Sequence, residues 1–357
     1  MDIIKLLKTL TETPGPSGFE DRIAATVREL WEPLADTVSV DRMGSVTAVK
    51  VGRGPEPRPR LLLAAHMDEI GLMVKQIVNH NGNGFLRLSE LGGVDVRHLY
   101  GQTVVVHGQR DLTGVIGSLP GHMLPKARSS KAFGYEDLLV DVGLAENDVA
   151  ELVSVGDAIS FRQQTRTMQK RIVTGKALDN RASVAAVTVC LEYLQGRHFD
   201  WDIIAVATAQ EETRLLGAFT AAFAEQPDAA IAIDVSFAKG AGLSDSPLLL
   251  GGGPSIDTSP SIHPGMRKAL QDTAEALEMK VSGTASSYPG GTDAYALQIA
   301  RAGVPTALVS IPLRYMHTMV ETIDADDVER AGRLLGEFIA RLDDQFLDNL
   351  AQGMMED

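Results

Sequence analysis

The sequence predicts an α/β fold: a mixed, largely parallel sheet flanked by helices, interrupted by a small β-rich insert. Three observations carry that expectation. From Thr174 onward, helical and strand-like segments alternate, as they do where parallel strands are joined by crossover helices. The runs Leu61–Ala65, Asp202–Ala209 and Ala229–Val235 are short and apolar, as strands covered on both faces must be. Between Glu69 and Arg162 the texture changes to short alternating segments, the signature of a small barrel or sandwich.

The elements follow in order. MDIIKLLKTL reads as a short amphipathic helix, with Ile3, Leu6, Leu7 and Leu10 on one face. It lacks the basic start, long apolar core and small-residue cleavage site of an export leader. Ser17 and Glu20 fit a capping box that opens a second helix, with Ile23, Val27, Leu30 and Trp31 facing inward. Strands are expected around Val38–Asp41 and Val46–Val51, turning at Met43-Gly44-Ser45. Gly52–Pro59 is a loop, and His66 stands at the end of the strand Leu61–Ala65. The insert offers strands at Ile70–Val78, Phe85–Leu88, Thr103–His107, Val115–Ser118, Leu138–Val142 and Ala158–Phe161, and a helix at Ala145–Leu152. Beyond it come a small-residue helix, Arg181–Leu194, the strand Asp202–Ala209, a helix Leu215–Glu225 and the strand Ala229–Val235. Amphipathic helices at His263–Met279 and Ala325–Leu350 flank a strand at Thr306–Ile311. The 357 residues therefore divide into one α/β unit, 1–68 plus 163–357, and an inserted unit, 69–162.

Composition narrows the function. Hydrophobic residues at 44% and charged residues at 22% suit a well-buried core. With 47 acidic against 33 basic residues and a net charge of -14, the chain is a poor partner for nucleic acid. No apolar run is long enough to span a bilayer, so no membrane association is expected. Cys190 is the single cysteine and lies in an apolar helical stretch, which excludes an internal disulfide and a thiolate metal cluster. Cytoplasmic residence follows as an expectation.

Five polar stretches beside the apolar runs hold the candidate chemistry: Ala65-His66-Met67-Asp68, Leu178-Asp179-Asn180, Gln210-Glu211-Glu212-Thr213, Ile233-Asp234-Val235 and Tyr315-Met316-His317. His66, Glu211, Glu212 and Asp234 fall at the carboxyl ends of strands, where ligands gather in α/β sheets. His66 and Asp68, two apart, point to the same side, so Asp68 can accept a hydrogen bond from the ring nitrogen of His66 that faces away from a metal. Four of the five stretches have a plainer explanation when taken alone. His-x-Asp is a common strand-end pair, Asp179 or Asn180 suits a helix N-cap, Glu-Glu is usually a solvated loop, and His317 fits an ordinary loop histidine. Together, two imidazoles and several carboxylates with no thiolate suit two adjacent divalent ions, a pair that turns water into a nucleophile able to break an amide.

At these motifs the chain resembles the glutamyl aminopeptidase and tetrahedral (TET-type) aminopeptidase family of dinuclear metallopeptidases. The resemblance runs over nearly the whole length. It rests on Thr13-Pro14-Gly15-Pro16-Ser17-Gly18-Phe19-Glu20, Ala65-His66-Met67-Asp68-Glu69-Ile70-Gly71, Ala177-Leu178-Asp179-Asn180-Arg181, Gln210-Glu211-Glu212, Gly291-Thr292-Asp293-Ala294 and Pro312-Leu313-Arg314-Tyr315-Met316-His317. It implies a zinc-peptidase-like fold with a PDZ-like insert serving dimerisation. It implies two divalent ions per subunit, zinc or cobalt with manganese also accommodated. Asp179 would bridge them, His66 and Asp234 would complete one site, and Glu212 and His317 the other. Glu211 would be the general base and Asp68 the partner of His66. The resemblance further implies a cis peptide between Asp179 and Asn180, peptide substrates, and a homo-oligomer in which dimers assemble into a tetrahedral dodecamer. The chain departs from relatives at Thr318-Met319-Val320-Glu321, Gly93-Val94-Asp95 and Leu119-Pro120-Gly121-His122.

Competing classes are distinguishable. A glycosidase could use Glu211 with a second acid, but has no call for His66, Asp234 and His317 together and ignores chelators. A dinuclear carboxypeptidase or deacylase would use similar ligands and accept N-blocked peptides. A non-catalytic scaffold on this fold would lack one of the ligands. Ser286–Asp293 is a candidate pocket-lining loop, though its glycines also suit a simple turn.

Overall fold

The computed structural model describes residues 1–119, 123, 134–240, 242–243, 245–287 and 290–353. His122 and part of Ser286–Asp293 lie outside the described residues. Ten strands form one mixed sheet. Its path runs Thr37–Val40, Val46–Lys50, Asp202–Thr208, Arg60–His66, Ala229–Phe237, Thr306–Arg314, Glu321–Asp324, Ile172–Gly175 and Arg166–Thr167, with Ser255–Ile256 added against Thr306–Arg314. The four central strands are parallel and both wings are antiparallel. The parallel centre thus brings the carboxyl ends of its strands to one side, with Thr208 directly beside His66.

The period of two along a strand explains why the central runs are apolar throughout. Leu61, Leu63 and Ala65, with Ile203, Ala205 and Ala207, face a core shared with the helices Ile3–Glu12, Asp21–Trp31, Leu178–Tyr193 and Ala325–Ala340. Leu62 and Ala64, with Ile204 and Val206, face the helices Leu216–Glu225 and Asp293–Gln298 on the other side.

The insert closes as a six-stranded barrel from Gly71–His80, Asn83–Leu91, Leu139–Ala145, Asp111–Gly117, Thr103–His107 and Ala158–Phe161. Its own core includes Leu72, Val74, Leu86, Val104, Ile116 and Val140. Arg22 makes a bidentate contact with Asp111, at 2.6 and 2.8 Å, tying the second helix to the barrel.

Two local expectations need correction. Ser17 and Glu20 do not form a capping box: the helix Asp21–Trp31 has no side-chain cap. Glu20 instead accepts hydrogen bonds from the backbone of Gly18 and Gln210, and Ser17 pairs with Thr213, so tertiary partners claim both residues. The last helix is two helices, Ala325–Ala340 and Phe346–Gly353. Asp343 breaks the run, its side chain accepting from Gln345 and its carbonyl from the indole of Trp201, a local competition that aspartate favours.

Candidate metal centre

The five stretches converge. Ligand atoms of His66, Glu211 and Asp234 lie within 4.8 Å of one another, and so do those of Asp179, Glu212 and His317. Asp179 joins the two groups: its Oδ1 is 3.2 Å from His66 Nε2 and its Oδ2 is 3.3 Å from His317 Nε2. Asp234 Oδ1 and Glu211 Oε2 stand 3.9 and 3.7 Å from His66 Nε2, and Glu212 Oε1 is 3.4 Å from His317 Nε2. His66, Asp179 and Asp234 are buried, while Glu211, Glu212 and His317 retain some exposure.

Three of the five carrying segments start from an unusual backbone. Ala177, Gln210, Tyr315 and His317 are all left-handed, with φ between 56° and 62°. Such residues cost about 1–3 kcal/mol each and persist only where surrounding contacts hold them. Those contacts are specific. Asp68, fully buried, takes the first two N–H groups of the turn Glu211–Arg214, Oδ1 from Glu211 and Oδ2 from Glu212, at 3.0 and 3.1 Å. His66 Nδ1 lies 3.3 Å from the Asp68 carbonyl and 3.5 Å from its Oδ1. The Asp68 carboxylate therefore serves the glutamate pair more directly than the imidazole. The peptide between Asp179 and Asn180 is cis, and both residues have non-helical backbone angles near the start of the helix Leu178–Tyr193.

Sequence reasoning passed over several contributors. Glu321 spans two ligand segments, Oε2 accepting from the backbone N–H of Asp179 at 3.0 Å and Oε1 from that of His317 at 2.9 Å. Asn180 donates to the carbonyl of Ile233, next to Asp234. Asp293 is buried, accepts from Thr208 through Oδ2 and leaves Oδ1 without a partner among the described residues. Beneath them Glu69 meets Lys176 at 2.6 Å and Arg181 at 3.4 Å, all three buried. Glu69, Arg181 and Asp293 stood inside motifs already singled out, but nothing local marks what they touch.

The electrostatics call for positive charge. Burial, reinforced by Asp234 and Asp293, pushes Glu211 up to about 10. Burial and the neighbouring Asp179 push Glu212 and Asp234 each up to about 8. Burial opposes charge on His317, but Asp179 and Glu212 raise it to about 9. Burial opposes it on His66 too, yet Glu211, Asp179 and Asp68 hold it well above the ordinary histidine value. Asp179 alone falls below the carboxylate range, since hydrogen bonds from both imidazoles outweigh its burial. Carboxylates crowded this way retain protons unless cations join them. Imidazole nitrogen and carboxylate oxygen, with no sulfur, match the donors of borderline divalent ions.

A parallel-centred α/β sheet with paired imidazole–carboxylate groups beyond its carboxyl edge defines an α/β protein with a candidate site for two divalent ions. Comparison with known proteins narrows this. The family model for M42 glutamyl aminopeptidase matches residues 44–334. Lysyl aminopeptidase of Pyrococcus furiosus is 36% identical over 347 residues, 95% of this chain and 97% of that protein. Among solved structures, the TET aminopeptidase of a marine sediment archaeon of the Thaumarchaeota superposes with a TM-score of 0.89 at 34% identity, covering 98% of each chain. The Pyrococcus horikoshii TET1 peptidase, which can assemble into a tetrahedron or a large octahedral shell, has a TM-score of 0.84 at 31% identity, covering 96% of this chain and 100% of that one. The chain belongs to the M42 glutamyl aminopeptidase family.

Proposed function

We propose that the chain is a dinuclear metal-dependent aminopeptidase that hydrolyses the first peptide bond of oligopeptides. The observation that carries this reading is Asp179, set between two imidazoles with one carboxylate oxygen toward each. His66 and Asp234 would complete the ligands of one ion, and Glu212 and His317 those of the other. Zinc or cobalt suits these donors, and manganese is also accommodated. When bound, such a pair lowers the pKa of water and polarises a carbonyl, which is the chemistry amide hydrolysis requires.

The remaining work falls to side chains. Glu211 lies at the edge of the donor cluster; burial and its acidic neighbours favour its protonated form in the metal-free site, and cations joining the cluster would free it to act as a base. It takes the proton from the attacking water and delivers it to the leaving amine, a transfer worth about 10²–10⁴ in rate. Asp68 orients Glu211 and Glu212 through their backbone N–H groups. A carboxylate of the site receives the α-ammonium of the substrate, which confines cleavage to the amino end.

The domain reading joins this proposal. Residues 1–68 and 163–357 carry the chemistry, and 69–162 is the unit through which subunits pair, dimers building to a tetrahedral dodecamer. The assembly of the Pyrococcus horikoshii relative supports that part, and solution mass tests it. Cytoplasmic residence is part of the same proposal, and the free, buried Cys190 is compatible with it. For the mechanism, Glu211→Gln is expected to keep both ions by elemental analysis while turnover of aminoacyl chromogenic substrates drops by about 10²–10⁴. Asp179→Asn should instead lose metal. Full activity in Glu211→Gln, or wild-type activity indifferent to chelators, overturns the reading.

A further inference from the structure

His317 is held from a second direction, by the barrel rather than the sheet. Met319, two residues beyond it, is 5% exposed and packs in the barrel's own core cluster. The loop leaving the barrel strand Asn83–Leu91 brings two glycines against the metal centre. The Gly93 carbonyl lies 3.1 Å from His317 Nδ1. A Cβ at Gly93 would fall 2.5 Å from that nitrogen and 2.7 Å from Cε1. A Cβ at Gly92 would fall 3.1 Å from Glu212 Oε2. Both non-bridging side chains of one donor triad, Glu212 and His317, thus have a barrel glycine at close approach.

The chemistry of that contact is directional. A carbonyl only accepts, so the bond to Gly93 keeps a proton on Nδ1; the proton on Nε2, which faces Asp179 and Glu212, is then the one a bound ion would displace, leaving the form a metal ligand needs. Support is also required sterically, because Tyr315 and His317 both hold left-handed backbone angles.

We infer that the inserted barrel is a working wall of the metal centre, Gly93 and Met319 acting as positioning residues that set the affinity of the Asp179–Glu212–His317 triad for its ion. This goes beyond subunit pairing and rests on the metal-dependent reading above. Gly93 itself has no left-handed angle, so alanine is hindered there by the His317 ring and not by the chain.

The test titrates metal-depleted full-length protein with cobalt(II) alone, by calorimetry and visible absorption, for the wild type, Gly93→Ala, Met319→Ala and Met319→Leu. Far-ultraviolet circular dichroism and solution mass establish that each variant is folded and assembled as the wild type. The wild type should bind two ions. Gly93→Ala and Met319→Ala should hold one ion with wild-type affinity and bind the other about 10–100-fold more weakly, while Met319→Leu restores most of the loss. If Gly93→Ala does not fold, Met319→Ala against Met319→Leu decides. A wild type that binds no pair of ions removes the metal reading and this inference with it. A two-ion wild type whose folded variants match it, or weaken both ions equally, overturns the inference alone.

Discussion

Replacing Arg181 with methionine probes the foundation of the site. Arg181 is 0% exposed. Its Nε donates to the Met67 carbonyl at 3.0 Å, one terminal nitrogen donates to the carbonyls of Leu10, at 2.6 Å, and Thr13, and the other reaches Glu69 at 3.4 Å. Methionine matches the volume but offers none of these donors. Removing one partner of a buried ion pair costs about 3–5 kcal/mol, because the other charge is left uncompensated. Lys176 stays at 2.6 Å from Glu69 and offsets part of that. Against this, each carbonyl deprived of its donor adds up to about 1–3 kcal/mol. The net expectation is at least about 3–5 kcal/mol, a fall of at least about 10²–10⁴ in the folded-to-unfolded ratio. Met67 separates His66 from Asp68, so metal retention should weaken as well. Urea unfolding at fixed protein concentration, followed by the fluorescence of Trp31 and Trp201, the two tryptophans, measures the change. A loss below about 1 kcal/mol, the size of an exposed ion pair, would refute the reasoning.

Further outcomes follow from the same geometry. Metal-free protein should lose stability as pH rises from about 5 to about 9: Glu211, Glu212, Asp234 and His317 all hold native pKa values above their ordinary ones, so the folded chain binds more protons there than the unfolded chain. Asp179, depressed, acts in the opposite sense only at lower pH, and added zinc should flatten the profile in thermal unfolding. Stability that climbs with pH in the absence of metal contradicts the charge assignment. Gly332→Ala should cost about 1–3 kcal/mol by urea unfolding, since its Cβ would lie 2.5 Å from the Ala186 carbonyl where the helices Ala325–Ala340 and Leu178–Tyr193 pack. Asp68→Asn turns one of its two acceptor oxygens into a donor facing an N–H; metal affinity should drop about 10–100-fold in a folded protein, read by metal content after dialysis against buffers of graded free zinc.

Much of this molecule was legible before any coordinates. The runs around Leu61–Ala65 and Ala229–Val235 announced buried parallel strands because both faces of such strands must be apolar. His66 and Asp234 were conspicuous as polar residues at or near the ends of those runs. The insert declared itself by its change of texture. The capping box failed for an instructive reason: Ser17 and Glu20 are the right residues at the right spacing, but Ser17 pairs with Thr213 while Glu20 accepts from Gly18 and Gln210.

What sequence alone determined here are the properties set by neighbours along the chain: strand and helix character, the placement of donors beside strands, and the exclusion of thiolate chemistry. Tertiary structure decided which donors come within reach of one another and what holds them. Glu321 meets Asp179 across 142 residues, and Gly93 meets His317 across 224. Pairings at such separation are settled by how the sheet and the barrel pack, and leave no periodic trace in the residues that make them.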